Sequence, residues 1–167
     1  MGMESMQDLY LHELRDIYNA EKQILQALPK MAKAANHDEL RRAFEEHRQV
    51  TEEQVRRLDT IFDDLGQKSS GKKCKGMEGL IEEGEEILKE DADPDVRDAA
   101  LIAAAQRVEH YEISAYGTAR TYAQSLGFNN HVELLQRTLD EESQTDERLS
   151  KLAESRVNRD AEVGRNR

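Results

Sequence analysis

Apolar residues recur in alternating steps of three and four along four long stretches of the chain, and each stripe is broken near its middle by a residue that belongs in water. The first reads Tyr10, Leu14, Ile17, Glu21, Ile24, Leu28, and the second Leu40, Phe44, His47, Thr51, Val55, Leu58, Phe62. A third runs Ile102, Ala105, Glu109, Glu112, Tyr116, Ala119, Ala123, and a fourth Leu135, Leu139, Glu142, Thr145 or Asp146, Leu149, Leu152. This spacing marks one face of an α-helix turned toward a core. Only 37% of the residues are apolar and 35% are charged, with 9 Gly and 2 Pro, which suits long solvated helices rather than sheets. The expected fold class is all-α, with four long helices and one short one.

Local signals set the expected boundaries. Helix one begins near Met6, and Pro29, which lacks an amide hydrogen, should kink or restart it before Ala32 to Ala35. Asn36, His37 and Asp38 make a turn with Asp38 as N-cap, and the second helix ends near Gly66. A linker of Gly, Ser and Lys covers residues 67–76, and Met77 to Glu90 form a short amphipathic helix. Asp93 followed by Pro94 opens the next long helix, which Gly127 terminates. The connection from residue 67 to residue 93 is long enough to traverse a bundle, so two helix pairs joined by one crossover are expected. A shift of 91 places Ile17, Glu21 and Leu25 on Val108, Glu112 and Tyr116, in keeping with paired halves. Residues 1–160 read as one domain, followed by a disordered polar tail at 161–167 with fraying from Val157.

The formal net charge of −11 argues against nucleic acid as a partner, because affinity for a phosphate backbone comes from Lys and Arg. The basic cluster Lys68, Lys72, Lys73, Lys75 reads as a solvated loop. Cys74 is the only cysteine, so no internal disulfide can form; an exposed thiol in a reducing, cytoplasmic setting is expected. No window approaches the roughly 20 apolar residues of a membrane span.

The interruptions of the stripes carry the functional signal. An ionised carboxylate removed from water costs several kcal/mol unless a cation compensates it, so a ring of them implies a metal or a group of protonated acids. Gly127 lies 15 residues from both Glu112 and Glu142, so antiparallel helices place these two at one level. Glu109 is one turn from Glu112. His47 is offset from Glu21 by roughly 6 Å along the axis, because a turn centred near Asn36 sets Thr51 opposite Glu21. Glu46 is a spare ligand beside His47, and only one of Glu141, Glu142 and Asp146 needs to point inward. Tyr18 and Tyr116, one turn from Glu21 and Glu112, are core aromatics or donors to a carboxylate. Oxygen-rich ligation with one or two imidazoles suits iron or manganese better than zinc, with magnesium and calcium open by ligand type. His12, His37, His110 and His131 are expected to be exposed.

The runs LYNAEKQILQALPKMAKAA, FEEHRQVTEEQVRRL, KCKGMEGLIEEG, RVEHYEISAYGTAR and LDEESQTDERL resemble the YciF-like, or DUF892, family of ferritin-like proteins across nearly all of residues 6–155. The resemblance implies a ferritin-like four-helix bundle with a long crossover, a homodimer, a di-iron type site and a link to stress responses. The wider ferritin-like pattern supplies a Glu from each of two helices and a Glu-x-x-His pair from each of the others. Glu21 and Glu112 fit the single-Glu roles. This chain has Phe44 three residues before His47 and Thr145 three after Glu142, with Glu109 and Asp146 as acidic replacements. The expected ligand set is therefore Glu21, His47, Glu109, Glu112, Glu142 and Asp146, binding iron, or manganese, that reacts with a small oxidant such as dioxygen or peroxide. Glu109 or Glu112 would bridge the metals. A structural or interaction bundle, with or without a non-catalytic metal, is the alternative. The apolar side chains of residues 77–88 argue further for a two-fold dimer, since four packed helices need not cover them.

Overall fold

The computed structural model describes residues 2–164. Four long helices, α1 (Met6–Ala34), α2 (Asp38–Leu65), α4 (Pro94–Ser125) and α5 (Asn129–Leu152), carry the four stripes, and α3 (Lys75–Lys89) lies in the crossover. The chief packing partners are α1 with α2 and α4 with α5, so the bundle is two helix hairpins set together. No helix among the described residues is long and apolar enough to cross a membrane.

The ends of the helices follow local chemistry. Ser5 caps α1 in a reciprocal capping box with Asp8. Asp93 accepts from the amides of Asp95 and Val96 at the start of α4, with Pro94 just inside. Gly66 and Gly127, with φ of 61° and 77°, end α2 and α4 in the left-handed region. Helix α1 runs through Pro29 without a restart, and the N-cap of α2 is His37 rather than Asp38.

Other expectations need correction. Chain order does not stop near Val157: a π-helical turn, Ala153–Val157, leads into α6 (Asn158–Gly164), and Val157 is fully buried. Of the expected tail, residues 161–164 are thus helical, and 165–167 lie outside the described residues. The cause is a polar clasp that hydropathy does not reveal. His37 is buried with Nδ1 2.6 Å from Asp98 Oδ2 and Nε2 2.8 Å from Asp160 Oδ2, tying the α1–α2 turn to α4 and α6. Burial alone would lower the His37 pKa, but Asp160 and Asp98 raise it above its ordinary value. His131 is also buried, against Tyr10, whose hydroxyl lies 3.2 Å from its Nδ1. Cys74 is buried rather than exposed. It caps α3, its thiol donates to Asp16 at 3.1 Å, and burial raises its pKa.

The core is divided in two. One apolar cluster joins Ile24 and Leu28 to Leu40, Phe44, Leu101 and Leu149; the other joins Leu14 and Ile17 to Leu58, Ile61, Ala119 and Leu135. Every long helix therefore contributes to both ends of the bundle and carries its polar interruption between them. Helix α3 lays Leu80, Ile81, Ile87 and Leu88 against the first cluster, where they remain only half-buried.

Candidate metal centre

Between the two clusters lie Glu21 from α1, His47 from α2, Glu109 and Glu112 from α4, and Glu142 from α5. Three of the carboxylates are fully buried; Glu112 is 2% and His47 6% exposed. They form two groups whose donor atoms lie within 4.8 Å of one another, His47 with Glu109 and Glu142, and Glu21 with Glu112 and Glu142. The offset between Glu21 and His47 is retained: each sits with a different one of the two α4 carboxylates. Glu142 belongs to both groups.

Five residues of this kind in a protein interior need an explanation. Both oxygens of Glu109, Glu112 and Glu142, together with Glu21 Oε2 and His47 Nε2, have no hydrogen-bond partner. His47 Nε2 stands 3.3 Å from Glu109 Oε1 and 3.9 Å from Glu142 Oε2. Among the described residues no Lys or Arg pairs with any of the four carboxylates; Arg57, the base on the neighbouring face of α2, is held bidentately by Glu141 at 2.7 Å. Burial, and then the Glu142 carboxylate, push Glu21, Glu109 and Glu112 well above the usual carboxylate range. Burial likewise pushes His47 below its ordinary value, against the pull of Glu142. Native interiors leave few polar groups unsatisfied, and eight such atoms between the two apolar clusters have the chemistry of a cation site. The donor set fits a metal.

One hydrogen bond orders this layer. The Tyr116 hydroxyl donates to Glu21 Oε1 at 2.5 Å, which leaves Oε2 as the free donor atom. Thr51 spends its hydroxyl on the His47 carbonyl at 2.8 Å and thereby braces the turn that presents the imidazole.

Asp146 is not brought into either group. Its Oδ1 accepts from Gln106 Nε2 at 3.3 Å and its Oδ2 lies 3.2 Å from His110 Nε2, on the edge of the bundle. Glu46 is exposed and paired with Arg148, and Thr145 bonds back to the Glu141 carbonyl. Tyr18 packs edge-on against Phe62 at 5.7 Å and makes no bond to Glu21. Gln54 was missed. It is fully buried and reaches Glu141 with Nε2 at 3.2 Å, and its place one turn past Thr51 on the α2 stripe was the available signal.

The sequence pattern of DUF892, described as a domain of unknown function, matches residues 5–162. The chain belongs to the DUF892 family. Within the range of DUF892 relatives, Protein YciF of Escherichia coli strain K12 is 45% identical over 163 residues, which is 97% of this chain and 98% of that protein. The crystal structure of the E. coli stress protein YciF matches with a TM-score of 0.90 over 93% of this chain and 99% of that one. YcfI of Rhodopseudomonas palustris, described as a candidate structural protein, matches with a TM-score of 0.86 at 46% identity over 89% of this chain and 94% of that one. At 16% identity, a two-domain Anabaena variabilis protein with DJ-1/ThiJ/PfpI-like and ferritin-like domains has a TM-score of 0.61, covering 94% of this chain and 39% of that one. Such distant likeness concerns the fold alone. This DUF892 chain is a ferritin-like four-helix bundle with a helix in its crossover, homologous to a stress protein and carrying a buried His and Glu cluster able to hold metal.

Proposed function

We propose that the protein binds two divalent metal ions, iron or manganese, between its four long helices, and reacts with dioxygen or peroxide in a stress response. The observation that carries this reading is a pair of buried three-residue groups that share Glu142, each with donor atoms within 4.8 Å of one another, on residues eight of whose polar atoms are otherwise unpartnered. Four carboxylates and a neutral imidazole balance two dications in charge. Oxygen-rich ligation with a single nitrogen favours iron or manganese over zinc.

Bound iron or manganese would supply one-electron exchange between the two-plus and three-plus states. The residues supply the rest. Glu142 would couple the two positions, and His47 would complete the Glu109 position through Nε2. Tyr116 fixes the rotamer of Glu21 and holds a proton against its Oε1. The apolar clusters above and below exclude water from the layer, which strengthens every charge interaction inside it.

Metal analysis of protein grown in iron-replete medium and purified without chelator tests this: two equivalents per chain and a peroxide-sensitive absorption change are expected. Finding no metal would refute it and leave the structural role for which the R. palustris relative is described. A homodimer of twice the 19.1 kDa chain is part of the same reading, supported by the half-buried apolar side chains of α3. Light scattering on chelator-treated protein checks it, since ligands inside each bundle predict a dimer that survives stripping; a monomer would reject it.

A further inference from the structure

Beneath α3 the packing is incomplete. A cavity of about 30 Å³ lies between Ile24 and Leu28 of α1, Leu80 and Gly84 of α3, and Ala104 and Val108 of α4. Its lining includes the surface ion pair Lys30 with Glu85, 2.8 Å apart, and the buried ligand residues His47 and Glu109. The lining therefore includes both surface residues of the crossover and two residues of the candidate metal centre.

We propose that this cavity is a binding site for a small apolar molecule, dioxygen in the working protein, set beside His47 and Glu109. The volume decides the size of the ligand. At two to three times the roughly 10–15 Å³ that one water needs, it suits a single small molecule, whereas sites for organic ligands span roughly 300–1,000 Å³. The lining decides the polarity. Apart from the ion pair and the two ligand residues the walls are hydrocarbon, and an apolar cavity stays dry and accepts apolar gases. Small side chains keep it open. Gly84 occupies a helix interior, where glycine is disfavoured, and a Cβ there would meet only the Ala104 methyl at 4.0 Å. The chain forgoes both helix propensity and packing contacts to leave this space. His47 and Glu109, both at least nine-tenths buried, are the two residues that this lining shares with the candidate metal centre.

The role of dioxygen rests on the metal reading above, but the gas site itself does not, so the test uses chelator-treated protein. Under raised oxygen pressure, paramagnetic broadening of the Leu80, Ala104 and Val108 methyl resonances should exceed that at the exposed Val96 and Val163 methyls severalfold. Xenon should shift the same three residues' methyls in a saturable way. Gly84→Leu fills the space from α3 and Ala104→Leu from the facing wall; each should weaken xenon binding at least tenfold, and Gly84→Ala should weaken it less. Broadening no greater than at Val96 and Val163, or undiminished xenon shifts in both leucine variants, would overturn the site. Iron content measured on the same wild-type preparation separates the readings: a chain that takes xenon but no metal refutes the use of dioxygen while the methyl data decide the gas site.

Discussion

Glu142→Leu should invert the stability ranking of wild type and variant according to whether metal is present. Glu142 is fully buried, both its oxygens are unpartnered, and it is the largest charge acting on Glu21, Glu109 and Glu112. Leucine has similar bulk, and the two apolar clusters on either side give its methyls partners. Replacing buried charge by an apolar side chain of like volume is often neutral or stabilising by about 1–4 kcal/mol. Taking about 2 kcal/mol, and about 2–4 °C per kcal/mol for a domain of this size, the chelated variant should melt about 4–8 °C above chelated wild type. With metal the order reverses. A ligand at a thousand times its Kd adds about 4 kcal/mol to the wild type, and the variant, having lost the residue common to both groups, gains nothing. Calorimetry with chelator and with excess ferrous or manganous ion, alongside metal analysis, gives both arms. A variant that melts below wild type under chelation, or that keeps two equivalents of metal, would refute the reasoning.

Substitutions confined to one group should remove one metal. His47→Ala and Glu21→Ala are each expected to leave about one equivalent, and if His47 serves packing instead, metal-free and metal-bound forms will lose stability equally. Tyr116→Phe should leave the fold intact and weaken metal binding about 10–100-fold, read by competition with a chelator, because Glu21 loses the bond that sets its orientation. Metal loading should release protons, and affinity should rise with pH, since Glu21, Glu109 and Glu112 hold protons above the usual carboxylate range when no cation is bound; calorimetric titration in buffers of different ionisation enthalpy checks this, and no proton release would contradict it. The raised pKa of His37 means that the folded state binds its proton more tightly than the unfolded chain does. Its contribution is fully present below the unfolded value near 6.5 and fades as pH rises through the raised folded value, so the melting difference between wild type and His37→Gln should shrink as pH rises above about 6.5.

The fold was legible because each stripe records one helix face over several turns, and because Gly66, Asp93, Pro94 and Gly127 punctuate the chain with residues suited to those positions. The inward residues were legible for the same reason: a Glu flanked by Ile17 and Ile24 has no route to solvent. What depends on contact between distant segments was not. Asp146 sits one turn past Glu142, yet Gln106 and His110 hold it at the edge, and no property of residues 140–150 announces those partners. His37 and Cys74 read as exposed because polar residues in turns usually are, and only the approach of Asp98, Asp160 and Asp16 makes their burial tolerable. The depth of His47 was legible as an offset from Glu21, but its meaning required the partner hairpin.

That offset accounts for the two-position character of the centre. Glu109 and Glu112 are three residues apart on one helix and so differ by about 4.5 Å in height. The α1–α2 turn sets Glu21 level with one of them and His47 with the other, while Glu142 reaches both. Two groups of donor atoms stacked along the bundle follow, the arrangement that the proposed pair of metal ions would need. They are unlike in surroundings. The Glu21 position is closed by Tyr116, buried in the apolar cluster of Leu14 and Leu58, whereas the His47 position adjoins the cavity under α3. In the proposed gas site a small apolar molecule would stand beside the His47 group, and Glu142, common to both groups, would be the side chain linking that group to the other.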